Sequence, residues 1–140
     1  MQPSDFFKKL EASFGQLEKK LLQVVEVETE NHNMKNFENE GFYGDSFTAW
    51  DERKDKKNNR KILIRTGDLK KAATTAHHQG GGIAFVFNMP YARVHNEGLQ
   101  AGRGKGFTMP KRQFIGQGRI LDDLIRRKFA KVINKNLDSL

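Results

Sequence analysis

Residues 109–116 read MPKRQFIG. The proline fixes its own φ and restricts Met109 to extended backbone. Two basic residues follow, then Phe114, Ile115 and a glycine. Directly after them, Ile120, Leu121, Leu124, Ile125, Phe129, Val132, Ile133 and Leu137 fall at helical spacing. Asp122 and Asp123 open that run, and Arg126, Arg127, Lys128, Lys131 and Lys135 load its later turns, in the sense the helix dipole favours. A rigid, charged, half-apolar hook ahead of a terminal helix admits three readings. It is a DNA-binding arm, a turn that docks on the core, or an assembly contact.

Working back from the hook, LQAGRGKGFT (99–108) is a glycine-rich basic loop, and YARVHNEG (91–98) begins an ordered connection. GIAFVFN (82–88) is the most strand-like run in the chain and apolar enough to be central, with Pro90 as its stop. HHQGGG reads as a turn. Lys61 to Arg65 is a short β-prone run; Thr66 and Gly67 turn the chain, and Asp68 starts a helix through about Ala76. Residues 41–60 read as a loop, with aromatics among glycines first and the very polar DERKDKKNNR after them. At the other end, Phe7, Leu10, Phe14, Leu17, Leu21 and Val24 alternate spacings of three and four, one stripe of an amphipathic helix. Ser4 is its candidate N-cap, Gly15 a candidate break, and Gly41 its limit, giving one or two helices over 4–39.

This order predicts one α+β domain over 1–140. It comprises a helical part at 4–39 and an α+β part at 61–137, with long basic loops at 41–60 and 96–108. The N-terminal helices and the C-terminal helix are expected to pack on a small β-sheet. A chain of 140 residues is long enough to bury a core without staples. It has no cysteine, hence no disulfide framework and no thiolate chemistry. Its apolar runs are far shorter than the roughly 20 residues of a membrane span, so a soluble chain without membrane contact is expected.

The net charge of +8 is unevenly distributed. Residues 1–52 carry 5 Lys/Arg against 11 Asp/Glu, net −6, and residues 53–140 carry 20 against 6, net +14. Such asymmetry fits a basic surface aimed at a polyanion, or head-to-tail attraction between copies. Arg53, Lys54, Lys56, Lys57 and Arg60, with Arg103 and Lys105 in the later loop, are the candidate DNA-facing residues. No stacking aromatics interleave the 53–60 run, so base recognition is not its signature.

Enzymatic signatures are missing. GRGKGFT fails the phosphate-loop pattern twice, with Leu99 where a glycine is required and Gly106 where Ser or Thr is required. There is no GxSxG and no HExxH, and His77, His78 and His95 stand at no ligand spacing. The reading is a non-enzyme with no catalytic residues, no metal and no cofactor.

Taken in order, ILIRTGDLKKA (62–72), YARVHNEG (91–98) and MPKRQFIG (109–116) ahead of an amphipathic helix resemble the phage virion morphogenesis family. These are tail completion proteins of the kind found in Mu-like phages. There a strand leads into a TG-x-L-[RK] turn and helix, a Tyr-Ala segment ends in an x-x-G turn, and a P-x-R-x-F-[IL]-G hook follows. NFENEGF (36–42) and Trp50 resemble the family's first half. The similarity spans roughly 20–137. It departs at the basic insert around 53–60 and at Gln113, where proline is common.

The resemblance implies a structural protein acting late in tail assembly, at the tail end that joins the head, as a ring around the DNA channel. The implied partners are further copies of itself, other tail and head-connector proteins, and non-specifically DNA. The implied location is the virion tail or neck, after the host cytoplasm during assembly. The matching residues are Thr66, Gly67 and Leu69, then Tyr91, His95 and Gly98, then Pro110, Arg112, Phe114 and Gly116. Gly67 is expected to take a backbone angle that a β-carbon opposes, and Phe114 to anchor the hook in the core or a neighbour. Arg112 is expected to pair with a carboxylate of the acidic half, in its own chain or the next.

Overall fold

The computed structural model describes residues 2–57, 59–104 and 106–139. Its longest element is α1, Pro3–Glu38, one helix about 54 Å long. Gly15 does not interrupt it. Its N-cap is Gln2, with Pro3 at the first helical position, so Ser4 lies already inside the helix. A second long helix, α4 (Arg119–Asp138), packs antiparallel against it. Ser13 Oγ donates to Asn136 Oδ1 (2.8 Å) near one end of the pair, and Lys128 lies 4.0 Å from Glu28 further along. Leu10, Leu17, Leu21 and Val24 are half-buried along this seam, whereas Phe7 and Phe14 from the same stripe stay exposed.

Between the two helices the chain makes three antiparallel hairpins and two short helices. The hairpins are β1 (Gly41–Tyr43) with β2 (Phe47–Ala49), β3 (His77–Gln79) with β4 (Gly82–Ala84), and β5 (Gln100–Ala101) with β6 (Phe107–Thr108). The short helices are α2 (Asp68–Ala73) and α3 (Tyr91–Glu97). The fold is α+β and mostly helical, and among the described residues its β-structure consists of three separate two-stranded pieces.

Several local expectations are corrected. Residues 41–60 are not all loop, since β1 and β2 occupy the first part. HHQ is a strand, with Gly80 and Gly81 making the turn. Lys61–Arg65 is not a strand: Leu63 has φ +63°, a left-handed angle that breaks extended backbone, and Ile62, Leu63 and Ile64 pack on the core instead. The helix after Gly67 ends at Ala73 rather than Ala76. The run 82–88 pairs only as far as Ala84. Beyond it Phe85, Phe87 and Met89 are half-buried and Val86 is exposed, the alternation of a strand without a ladder partner. The 96–108 segment starts inside α3 and contains the β5–β6 hairpin.

The core lies at the C-terminal end of α1. Phe37, Trp50, Ile62, Leu69, Ala73, Ala92 and Phe114 form one buried cluster. Phe37 meets Trp50 edge-on at 5.7 Å between ring centroids and lies 5.4 Å from Phe114, which contacts Phe87 at 5.7 Å. Hairpins this short cannot satisfy the backbone around such a cluster, and buried polar side chains of α1 supply the missing bonds. Asn36 Nδ2 donates to the Phe114 carbonyl (3.0 Å), and Asn36 Oδ1 accepts from the Tyr43 N–H (3.0 Å). Asn33 Nδ2 donates to the Ala73 carbonyl at the end of α2 (2.7 Å), and His32 Nε2 donates to the Tyr43 carbonyl (2.7 Å). One turn and a half of helix thus grips β1, α2 and the hook. At the start of α4, Asp45 accepts the Arg119 N–H (2.9 Å), a carboxylate where the helix dipole favours one.

Asn36→Leu keeps the size of the side chain but strands the Tyr43 N–H and the Phe114 carbonyl. Each such buried group costs about 1–3 kcal/mol, so the substitution is expected to remove at least about 2 kcal/mol of stability. Urea unfolding checks this.

Candidate functional site

The 109–116 hook is fastened from every side. Met109 N–H donates to the Leu99 carbonyl (2.9 Å), and Arg112 N–H to the His95 carbonyl (2.8 Å), tying it to the end of α3. Asn96 Oδ1 accepts from both Phe114 N–H (3.0 Å) and Ile115 N–H (3.2 Å). Trp50 Nε1 donates to the Gln113 carbonyl (2.7 Å), and Gln113 Nε2 turns back onto the Ile115 carbonyl (3.1 Å). That last bond supplies by hydrogen bonding part of the stiffness a proline at this position would supply by its ring. Phe114 is fully buried in the chain's own core. Gly98 caps α3 in the left-handed region (φ +69°), and a β-carbon there would come within 2.8 Å of Lys111 Cβ. Hook and α3 are therefore in direct backbone contact.

Arg112, only 9% exposed, reaches into the acidic half of its own chain, to carbonyls rather than to a carboxylate. Its Nε and Nη2 donate to the Asp51 carbonyl at 3.1 and 2.9 Å, and Nη2 also to the Glu52 carbonyl at 3.2 Å. This ties the hook to the segment that leads into the basic insert. Burial lowers its pKa most; the Asp51 carboxylate opposes that and Arg53 adds to it. Arg53 in turn donates from Nη2 to the Lys61 carbonyl (2.6 Å), closing the insert into a loop.

These connections leave a half-open cleft of about 550 Å³, a size typical of ligand sites. Its floor is Ile62, Leu63, Ile64 and Leu69; Tyr91 and His95 stand on one wall, and Arg53, Arg65 and Arg112 bring positive charge to it. Thr66, Gly67 and Asp68 complete the lining. Gly67, with φ +86°, turns the chain from the floor into α2, an angle that any other residue takes at a cost. A smaller depression lined by Arg53, Arg60, Ile64 and Arg65 adjoins it.

All three sequence motifs contribute to this cleft: Thr66, Gly67 and Leu69 from the first, Tyr91 and His95 from the second, and Arg112 from the third. Gly98, Pro110, Phe114 and Gly116 do not line it; they hold the hook behind it. Among the candidate DNA-facing residues, Lys54, Lys56, Lys57, Arg60 and Arg103 are exposed, and Lys56 makes a surface ion pair with Glu52 (3.6 Å). Arg53 is half-buried in the cleft wall, and Lys105 lies outside the described residues. The histidines are dispersed. His78 pairs with Glu26 of α1 (2.8 Å), while His95 is in the cleft. Among the described residues no group of three or more His, Asp or Glu side chains is placed to hold a metal ion. Nor is any described helix long and apolar enough to cross a membrane.

Sequence reasoning missed His32, Asn33, Asn36 and Asn96. A polar residue inside an amphipathic helix reads as solvent-facing, and only the 36–42 motif drew attention to Asn36. It also missed the state of His95. Its Nδ1 is buried and has no hydrogen-bond partner among the described residues. Burial first, and Arg112 second, lower the pKa of this imidazole below the usual 6.5.

The folded chain therefore takes up the His95 proton at a lower pH than the unfolded chain does. Stability that is intact at neutral pH must fall as pH drops through about 6.5 and level off below the lowered folded pKa. Urea unfolding at pH 7.5 and 5.0 checks this: His95→Gln is expected to lose less stability on acidification than the parent chain.

Comparison with known proteins gives a consistent placement. No curated protein and no solved structure matches the chain. The model of the phage virion morphogenesis family matches residues 3–132, taking in α1, all three motifs and most of α4. The chain belongs to the phage virion morphogenesis family.

Proposed function

We propose that the protein completes the phage tail at the end that joins the head, as a subunit of a ring around the DNA channel. Its family assigns it to the structural and morphogenetic proteins of the virion. The observation that carries the finer reading is the convergence of three separated motifs on one cleft whose arginines, among the described residues, lie within ion-pair distance of no carboxylate. Motif residues that together build a shaped, charged surface suit assembly. The charge split between the two parts of the chain suits head-to-tail contacts, which are the contacts that close rings. Particles assembled without the protein are expected to accumulate as separate filled heads and tails in negative-stain micrographs, with a collapse in infectious titre. Joined, infectious particles lacking it would end this reading.

A second property accompanies the first. Lys54, Lys56 and Lys57 are exposed on the insert, where they can displace counterions from a duplex without reading its sequence. Replacing them with glutamine is expected to flatten the dependence of duplex affinity on salt by roughly 0.9 in log–log slope for each lysine that faces a phosphate. A filter-binding titration over a salt series checks this, and an unchanged slope would exclude the insert as the contact.

A further inference from the structure

The cleft is chemically specific. Its floor is aliphatic, and three guanidinium groups stand around it: Arg53, Arg65 and Arg112. Among the described residues, none of the three lies within ion-pair distance of a carboxylate; Arg53 and Arg112 donate to main-chain carbonyls instead. His95 adds a buried ring nitrogen without a partner. An apolar floor with cationic edges fits a carboxylate carried next to an aromatic or aliphatic side chain. A duplex would meet the guanidinium groups but would leave the floor unused.

The chain carries such a segment at the far end of α1. Asp5, Phe6 and Phe7 follow one another there; Phe6 is 48% and Phe7 64% exposed, and their rings contact each other edge-on at 5.9 Å. Two adjoining exposed rings form a small apolar patch that contact with a partner would take out of water. The segment also projects. α4 ends beside Ser13, where Asn136 bonds it, so the first turns of α1 extend beyond the helix pair, with only Leu10 half-buried among residues 2–12. The tip cannot fold back into its own cleft. A continuous helix separates Asp5 from Asn33 and Phe37, which touch the elements that build the cleft, and that separation is about 45 Å. The match is available only between copies.

We propose that the cleft receives the α1 tip of a second copy, with Asp5 against Arg53, Arg65 and Arg112 and the Phe6–Phe7 pair over Ile62, Ile64 and Leu69. Lys8 and Lys9, one turn on, meet Asp68, the one carboxylate among the lining residues. The contact is heterologous, tip into cleft, so repetition closes a ring if the rotation allows and otherwise runs on as a filament. The proposal rests on the self-assembling part of the function proposed above and names the surfaces that would carry it.

Sedimentation of the purified full-length chain tests it. Phe6→Ser with Phe7→Ser spoils the tip and leaves the cleft; Arg65→Glu spoils the cleft and leaves the tip. All three positions are exposed, and urea midpoints confirm that each variant is folded. The parent chain is expected to associate with rising concentration, and each variant to associate at least tenfold more weakly. An equimolar mixture of the two variants is expected to stop at heterodimers, because one intact tip meets one intact cleft. Combining Asp5→Arg with Arg65→Asp in one chain is expected to restore association. A parent chain monomeric at about 1 mM, the dissociation constant of a very weak complex, overturns the proposal, as do variants that associate normally or a mixture that stays monomeric. Duplex DNA bound through Arg65 with self-association unaffected overturns it in favour of a nucleic-acid site. Since purified protein suffices, particles that join without the protein would remove the joint reading and leave this contact standing.

Discussion

Asn36 accepts from one strand and donates to the hook, and both partners are backbone groups that no sheet satisfies. The hairpins have only two or three residues per strand, so they leave most of the main chain around the core without a ladder. In a larger sheet protein, strand pairing meets that need. Here side-chain amides from the last turns of α1 meet it, with Asn96 doing the same from α3. The consequence is an unusual dependence. Phe37 and Phe114 bury against each other while the asparagine one position before Phe37 bonds the Phe114 carbonyl, so packing and hydrogen bond fix the same register. Apolar packing supplies the driving force, and the buried amides select which arrangement it stabilises.

The legible parts of the fold were those with a period. The seam residues of α1 and the run in α4 repeat at helical spacing, and the helices appear where the spacing puts them. The extended runs were less legible, because an apolar stretch shows that a segment is buried without showing what pairs with it. Ile62, Leu63 and Ile64 are buried or half-buried as their composition implies, but Leu63 takes a left-handed angle and the run becomes a turn that floors a cleft. Phe85, Phe87 and Met89 alternate as a strand does, yet the neighbouring hairpin ends at Ala84 and offers no edge. The cleft itself was legible only as three motifs in order. Nothing in their spacing indicated that Leu69, His95 and Arg112 face one space, since that follows from the backbone bonds joining the hook to α3.

Arg112 shows how a charged residue can be structural without an ion pair. The sequence suggested a carboxylate partner in the acidic half. The guanidinium instead caps two consecutive carbonyls of that half, at Asp51 and Glu52. A planar fork of donors fits such a pair, while a lysine would offer a single point of charge. The carbonyls carry only partial charge and so do not neutralise the guanidinium as an ion pair would, although the Asp51 carboxylate acts on it from further off. Burial first, and the Arg112 charge second, lower the pKa of His95, and that charge adds to what makes the cleft attractive to an anion. One side chain thus helps fix the hook, anchors the start of the basic insert and, with Arg53 and Arg65, gives the cleft its positive sign.

The distribution of stability along α1 connects fold to assembly. Its C-terminal turns are buried in the core and carry the amide bonds, its middle leans on α4, and its first turns touch almost nothing. Local opening is easiest where buried contacts are fewest, so the tip can adjust to a partner at little cost to the rest. A lone helical extension of that kind would ordinarily fray, because short helices are marginal in water. Here it continues a helix already nucleated by the core, with Pro3 and Asp5 favouring its first turn, and it presents Phe6 and Phe7 in a nearly preformed state. Preformed presentation lowers the ordering entropy lost on contact. In the proposed assembly it would also fix the distance between tip and cleft of each copy, and a constant distance between unlike ends is what a closed ring requires of its subunit.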